Sequence, residues 1–242
     1  MTINSAARQA ADLLAEDILA HEGDEEEWPL GSEDELMKIL GVGRPTIRQA
    51  ARLLEQQQLV VVRRGINGGI FGRRPSGAGV TAAARVFLQS EQTTFRQLLQ
   101  AELVVGPAAA ALAAEHADVE GRQGLLTFWS STTAKGAAVS ARQFMELAPT
   151  FQREVARLSG SPVVFLFVGV LMDLAAPSAG IADVYGDPER RALTIERHTK
   201  IAQAIHGGQG SLAERRMSQH LKWILETVDP RSLDEPLGLR QR

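Results

Sequence analysis

The stretch from Leu30 to Arg74 constrains this chain more than any other part of it. Ser32 and Glu35 stand at the spacing of a capping box, in which hydroxyl and carboxylate each satisfy a first-turn amide. Leu36, Ile39 and Leu40 then fall on one helical face. Gly41-Val42-Gly43 stops that helix, and Arg44-Pro45 opens another, proline being tolerated where no intrahelical partner is lost. Ile47, Ala50, Ala51 and Leu54 give the second helix an apolar stripe, which leaves Arg44, Thr46, Arg48 and Arg52 facing outward. Val60-Val61-Val62 is a β-branched run, and Gly65 to Gly69 reads as a hairpin turn before Ile70-Phe71. Helix, tight turn, helix and two-stranded ribbon are the parts of a winged helix-turn-helix, which sets its second helix in the major groove of DNA.

Charge follows the same division. Leu36 to Ser76 carries eight basic residues against Glu55 alone, a balance of +7, whereas Met1 to Glu35 carries Arg8 against eleven acids, a balance of −10. Basic charge is thus concentrated where a phosphate backbone would lie. The whole-chain balance of −3 hides this. Glu22 to Glu27 reads as a solvated acidic turn, and Trp28 as a packing residue. No cysteine is present, which excludes disulfides and thiolate metal sites. The N-terminus has no basic-then-apolar leader, and no apolar run reaches spanning length, so a soluble, cytoplasmic chain without a membrane partner is expected.

Three segments taken together, Leu30-Gly-Ser-Glu-Asp-Glu-Leu36, Leu40-Gly-Val-Gly-Arg-Pro-Thr-Ile-Arg-Gln-Ala50 and Arg63-Arg-Gly-Ile-Asn-Gly-Gly-Ile-Phe71, resemble the DNA-binding domain of GntR-family bacterial transcription regulators. The resemblance covers about seventy residues. It implies that Arg44, Thr46 and Arg48 contact DNA from the recognition helix and that Arg64 and Gly65 approach the minor groove from the wing. Ser32, Arg52, Arg63 and Asn67 complete the expected DNA-binding set. Two positions depart from the family pattern: Asp34 replaces a first-helix arginine that contacts DNA, and Gly43 replaces a serine cap.

Pro75-Ser-Gly-Ala-Gly79 is the clearest linker. The expected division is a DNA-binding domain over 1–75, a linker over 76–79, an effector-binding and dimerisation domain over 80–230, and a flexible tail over 231–242. From Ala78 onward the charges balance, at 17 basic and 17 acidic residues. Apolar spacing predicts helices over Ser5–His21, Thr81–Gln89, Thr94–His116, Val119–Thr133, Ser140–Leu158, Pro162–Ala175, Pro188–His206 and Ser211–Val228. The fold class is therefore mostly α, a winged helix-turn-helix followed by an all-helical antiparallel bundle.

Ala101 to Ala114, Phe151 to Gly160 and His198 through His220 resemble the effector-binding domain of the FadR subfamily, the FCD domain. The resemblance implies a homodimer, a palindromic DNA operator and a small-molecule effector whose binding alters half-site spacing. Many members hold a divalent metal with an Asp, a His one turn later and two further His. The matching positions here are Ala148, Gln152, His198 and His220, so the site is degenerate and no metal or other cofactor is expected. Glu102 replaces an arginine that commonly meets an effector carboxylate, and Gly106 an acid one turn on. With those anchors gone, Glu102, Ala148, Gln152, His198 and His220 are expected around a pocket for a largely hydrophobic metabolite. Phe128, Phe144, Phe151, Phe165 and Phe167 are expected to pack about the same centre. No nucleophile elbow or phosphate loop is present, so no enzyme is expected. Two other readings stay open: a metal-dependent sensor of a small organic acid on the same fold, and a helical small-molecule-binding or enzyme domain with an appended DNA module.

Overall fold

The computed structural model describes residues 3–65, 68–134 and 139–238. The chain divides into two compact units, Met1–Gly79 and Val80–Arg242. In the first, α1 (Ile3–Leu19) is followed by β1 (Glu27–Gly31), α2 (Glu33–Leu40), α3 (Arg44–Gln56), β2 (Val60–Arg63) and β3 (Gly69–Arg73). Ala10, Ala11, Leu14 and Ile18 of α1 share a core with Leu36, Ile47, Ala50, Ala51 and Leu54. Ser32 caps α2 as the spacing predicts: its hydroxyl accepts from the Glu35 amide at 3.3 Å, and Glu35 Oε2 accepts from the Ser32 amide at 2.7 Å. Gly41 ends the helix at φ 65°, a left-handed turn that glycine enters without a side-chain clash.

The expected two-stranded ribbon is a three-stranded antiparallel sheet in the order β1-β3-β2. Residues 27–31, read from sequence as acidic turn and lead-in, form its third strand, and Trp28 pairs with Gly72 while Val60 pairs with the same glycine from the other side. Trp28 is buried and stacks on His21 with ring centroids 3.8 Å apart. Ile39, expected on the same helical face as Leu36, is 70% exposed, because it lies a step around α2 from the covered side.

The second unit is built from helices: α4 (Ala78–Ser90), α5 (Phe95–His116), α6 (Val119–Thr133), α7 (Ala141–Leu158), α8 (Pro162–Ala175), α9 (Ala179–Gly186), α10 (Pro188–His206), α11 (Gly210–Thr227) and α12 (Pro230–Leu233). α11 packs along α5, α10 lies against α6 and α11, and α7 and α8 cover α5. Side-chain caps at Thr94, Asp118, Ser140, Ser161, Ser178 and Asp187 set the starts. Trp129, Phe95, Phe144 and Phe151 are the largest fully buried side chains.

Four expectations need correction. α4 starts at Ala78, inside the expected linker, and α9 and α12 were not anticipated. Residues 231–238 are not a flexible tail: Leu233 and Leu237 are buried, and the Leu237 amide donates to the Thr93 carbonyl at 2.8 Å. α5 is long and apolar enough to cross a membrane by length and composition, contrary to the expectation, although half of that window is buried within the protein. Finally, Phe165 and Phe167 of α8, expected to pack about the buried centre, are 43% and 53% exposed.

Candidate functional site

In the first unit, α3 begins at Gly43, which offers no side-chain cap, and carries Pro45 in its first turn. Burial of Ile47, Ala50, Ala51 and Leu54 turns Arg44, Arg48 and Arg52 to solvent, with Thr46 half-buried at the helix start. An open groove of about 660 Å³ runs between α3 and the wing, and Ser32, Arg48, Arg52, Arg63, Arg64 and Gly65 line it. Arg44 and Thr46 lie in the first turn of α3, apart from that groove's lining. Gly65 turns at φ 108°, a conformation suited to glycine. Asn67 lies outside the described residues.

Sequence reasoning did not foresee the partners of these cations. Arg48 Nε donates to both Glu33 carboxylate oxygens, at 2.9 and 3.1 Å. That contact raises the Arg48 pKa further above its ordinary value. Arg44 pairs with Asp34 and lies 3.8 Å from Glu33. Arg63 pairs with Glu27 and sits 4.6 Å over the Phe71 ring, and Arg74 approaches Asp24 at 3.9 Å. Asp34, the departure at a DNA-contacting arginine, thus holds a recognition-helix arginine. Asp24 and Glu27 ahead of α2 and Glu33 and Asp34 in its first turn are thus ion partners for the basic surface; only their net charge was visible in advance. Each pair is exposed and worth little to stability. Its significance lies in where it holds the guanidinium groups.

The second unit buries all five expected effector residues: Glu102, Ala148, Gln152, His198 and His220. His198 on α10 and His220 on α11 meet with Nε2 atoms 3.0 Å apart, rings steeply inclined at 73°. One Nε2 must carry the proton and the other accept it. Phe151 stacks on His198 at 4.3 Å and Trp129 tilts against it at 4.9 Å. Burial lowers both imidazole pKa values, that of His220 to about 3, so the pair is neutral. Both Nδ1 atoms, Gln152 Oε1 and both Glu102 oxygens are buried without a hydrogen-bond partner. With nothing to offset burial, the Glu102 pKa is pushed up to about 8.

Gln152 faces a cavity of about 30 Å³ that Leu99, Met172, Tyr185, Leu221 and Ile224 also line. That is room for about one water. A larger opening, about 760 Å³, is a surface cleft between Arg85 and the segment Glu235–Gly238, and it includes none of the five expected residues. Phe144 and Phe151 belong to the core and Phe128 packs against it, whereas Phe165 and Phe167 do not join them. Trp129 and Tyr185 frame this region without having been anticipated, because single aromatics on amphipathic helices carry no distinguishing spacing.

The subfamily's divalent metal does not fit these donors. Ala148 supplies no ligand, Gln152 supplies at most a neutral carbonyl, and the two imidazoles satisfy each other through Nε2. Among the described residues, no group of three or more His, Cys, Asp or Glu side chains could hold an ion. Two neutral nitrogens lack the charge and third anchor that a divalent cation needs.

Comparison with known proteins agrees with both units. The family described as bacterial regulatory proteins, gntR family, matches residues 6–70, and the FCD domain matches residues 97–222, about half of the chain. The HTH-type transcriptional repressor NanR of Cronobacter sakazakii is 28% identical over 206 residues, covering 82% of this chain and 76% of its own. The NanR repressor of Salmonella schwarzengrund is 27% identical over 234 residues, 92% of this chain and 85% of its own. A solved GntR structure from Streptococcus agalactiae superposes with a TM-score of 0.73 at 23% identity, covering 92% of this chain and all of that one, a likeness of fold. The chain therefore belongs to the GntR family of bacterial regulatory proteins, as a transcription regulator whose gntR-type DNA-binding unit precedes an FCD domain.

Proposed function

We propose that the chain is a homodimeric repressor of the FadR subfamily that binds a palindromic operator and releases it when the helical unit takes up a small, largely hydrophobic metabolite. The observation that carries the DNA half is the single groove that gathers Arg48, Arg52, Arg63 and Arg64 beside Ser32 and Gly65. Guanidinium groups on a recognition helix and an adjoining wing match the phosphate and base-edge contacts of this motif. Arg44 and Thr46, in the first turn of α3, join Ser32 in the DNA-binding set of this reading, and Asn67 is carried into it from the sequence alone. Relatives named as repressors support the direction of regulation.

The effector half rests on the character of the buried centre. The lining of the small cavity is apolar apart from Gln152 and contains no lysine or arginine, and the imidazoles are neutral, so a small polyanionic acid there would meet no paired charge. Apolar surface is favoured there at roughly 25 cal/mol per Å². Gln152, His198 and His220 would orient the guest. Electrophoretic shift of DNA flanking the gene, followed by release with added metabolites, tests the whole reading. Operator release by apolar compounds is the expected result. Failure to shift any flanking fragment, or release by citrate or lactate alone, would overturn it. Elemental analysis of chelator-free protein adds an independent check: well under one equivalent of Zn, Ni or Mn is expected. Stoichiometric metal that disappears in His198→Ala would restore the organic-acid sensor.

A further inference from the structure

Glu102 is the least accommodated group in the helical unit. It lies in the middle of α5, 1% exposed, and neither carboxyl oxygen meets a donor. A buried carboxyl that stays unpartnered is costly and calls for an explanation beyond packing. The space beside it is also unusual. Gly106 follows one turn later on the same face, and a β-carbon there would stand 2.8 Å from Glu102 Oε1 and 3.2 Å from Leu221 Cδ1. The glycine therefore keeps open the flank of the carboxyl that looks toward Leu221.

Leu221 links that flank to the small cavity, whose lining does not itself include Glu102 or Gly106. Leu221 lines it, as does Leu99, which precedes Glu102 by three residues on α5 and shares its face. Gln152 lines it too, with its carbonyl oxygen unpartnered. The unpartnered set in this region is rich in acceptors: two oxygens of Glu102, one of Gln152, and the lone pair on one of the two histidine Nδ1 atoms. Among the described residues the buried unpartnered arginine atoms are the Nε atoms of Arg122, Arg191 and Arg197, and none of them meets the Glu102 carboxyl, whose two oxygens stay without a donor. A guest completing this set must bring donors, and one that meets a carboxylate in an apolar surround gains most if it is cationic.

We propose that the effector of the helical unit is an amphipathic amine, an apolar body bearing a primary ammonium group that pairs with Glu102. This rests on the reading that the unit binds an effector at its buried centre, and it narrows that reading to one chemical class. The Glu102 carboxyl, held largely protonated by burial at neutral pH, gives up its proton as the ammonium arrives, so one proton is released for each pair formed. Gly106 supplies the approach, and because the cavity of about 30 Å³ is too small for the apolar body, binding selects an arrangement in which the surrounding leucines have moved apart to cover it.

Calorimetric titration and thermal shift of the full chain with n-hexylamine, n-hexanol and hexanoate test this, the three probes sharing one tail. Hexylamine is expected to bind at least about tenfold more tightly than hexanol, a factor worth about 1.4 kcal/mol, and hexanoate to bind least. Glu102→Gln removes the charge while keeping the shape, and should erase the amine's advantage without touching hexanol. Gly106→Ala, which places a methyl against Oε1 in an otherwise helix-compatible position, should weaken hexylamine as well and guards against a folding defect in the first variant. Equal binding of hexylamine and hexanol, or an amine advantage that survives Glu102→Gln, would overturn the amine and leave an apolar effector in place. Tightest binding by hexanoate would overturn both the amine and the acid-excluding pocket. Binding of none of the three, by protein that still shifts its operator, would overturn the amine and the effector site together.

Discussion

At the scale of single residues, the chemistry turns on one ionised contact and one that is withheld. Arg48 is 59% exposed at its side chain and held by Glu33 rather than by solvent alone. A bidentate arginine–guanine contact is worth roughly 1–3 kcal/mol, so Arg48→Ala should weaken operator binding by about tenfold or more. Titration of labelled operator under matched buffer checks this; unchanged affinity in a folded variant would remove α3 from the reading. Glu102 makes the opposite kind of statement, about stability. Its ordinary pKa of 4.5 rises to about 8 in the fold, so the folded chain keeps a proton that the unfolded chain loses across that window. The contribution is fully present below 4.5 and is lost as pH rises through 8. Stability should fall by about 1.4 kcal/mol per pH unit between those values. Glu102→Gln has no proton to lose, so its advantage over the parent should be near zero at the acid end and largest at the alkaline end. Urea unfolding at about pH 5 and pH 8 measures this, and a pH-independent gap would sink it.

At the scale of elements, Gly72 shows how the wing is locked. It sits in the central strand between Trp28 and Val60, and a β-carbon there would lie 2.8 to 3.0 Å from three atoms of the Trp28 indole. A rigid ring already stacked on His21 has nowhere to retreat. Gly72→Ala should cost about 1–3 kcal/mol by overpacking and loosen β1; unfolding midpoints that match the parent's would refute the lock. The same element marks a boundary of what sequence discloses. Ser32, Gly41 and Pro45 are local punctuation, and they were enough to place α2, the turn and α3. β1 was missed because Glu27-Trp-Pro-Leu-Gly31 becomes a strand only when β3 supplies its partner from far along the chain. α12 and Leu237 were missed likewise, since their order comes from packing and from the Thr93 carbonyl. Phe165 and Phe167 failed for another reason: when a helix is apolar on every side, periodicity cannot say which side is covered. Of the candidate sites, the cations and the buried histidines were legible as residue types at known spacings. Glu33 and Glu27 were not, because a pairing partner is defined by distance in the fold.

At the scale of the whole molecule, one helix-turn-helix offers few contacts to DNA, and two-fold symmetry doubles them. The expected species is a dimer held by the helical unit, running at twice 26.2 kDa. The half-exposed phenylalanines of α8 are the residues to disturb: Phe165→Asp with Phe167→Asp should yield monomers by light scattering and markedly weaker operator binding. A parent chain that remains monomeric at all concentrations would defeat the proposal. The ion pairs on the DNA-binding unit carry a last consequence. An arginine free in solution gathers no carboxylate, and on reaching a phosphate it expels the cations condensed on DNA. Here Arg44, Arg48 and Arg63 each begin in the company of an acid on their own unit. Docking exchanges one anion for another and strands a carboxylate, which recruits a small cation from the buffer as it is abandoned. Part of the counterion release is thereby cancelled. The affinity of this regulator should therefore decline with added salt less steeply than its arginines, counted one by one, would dictate.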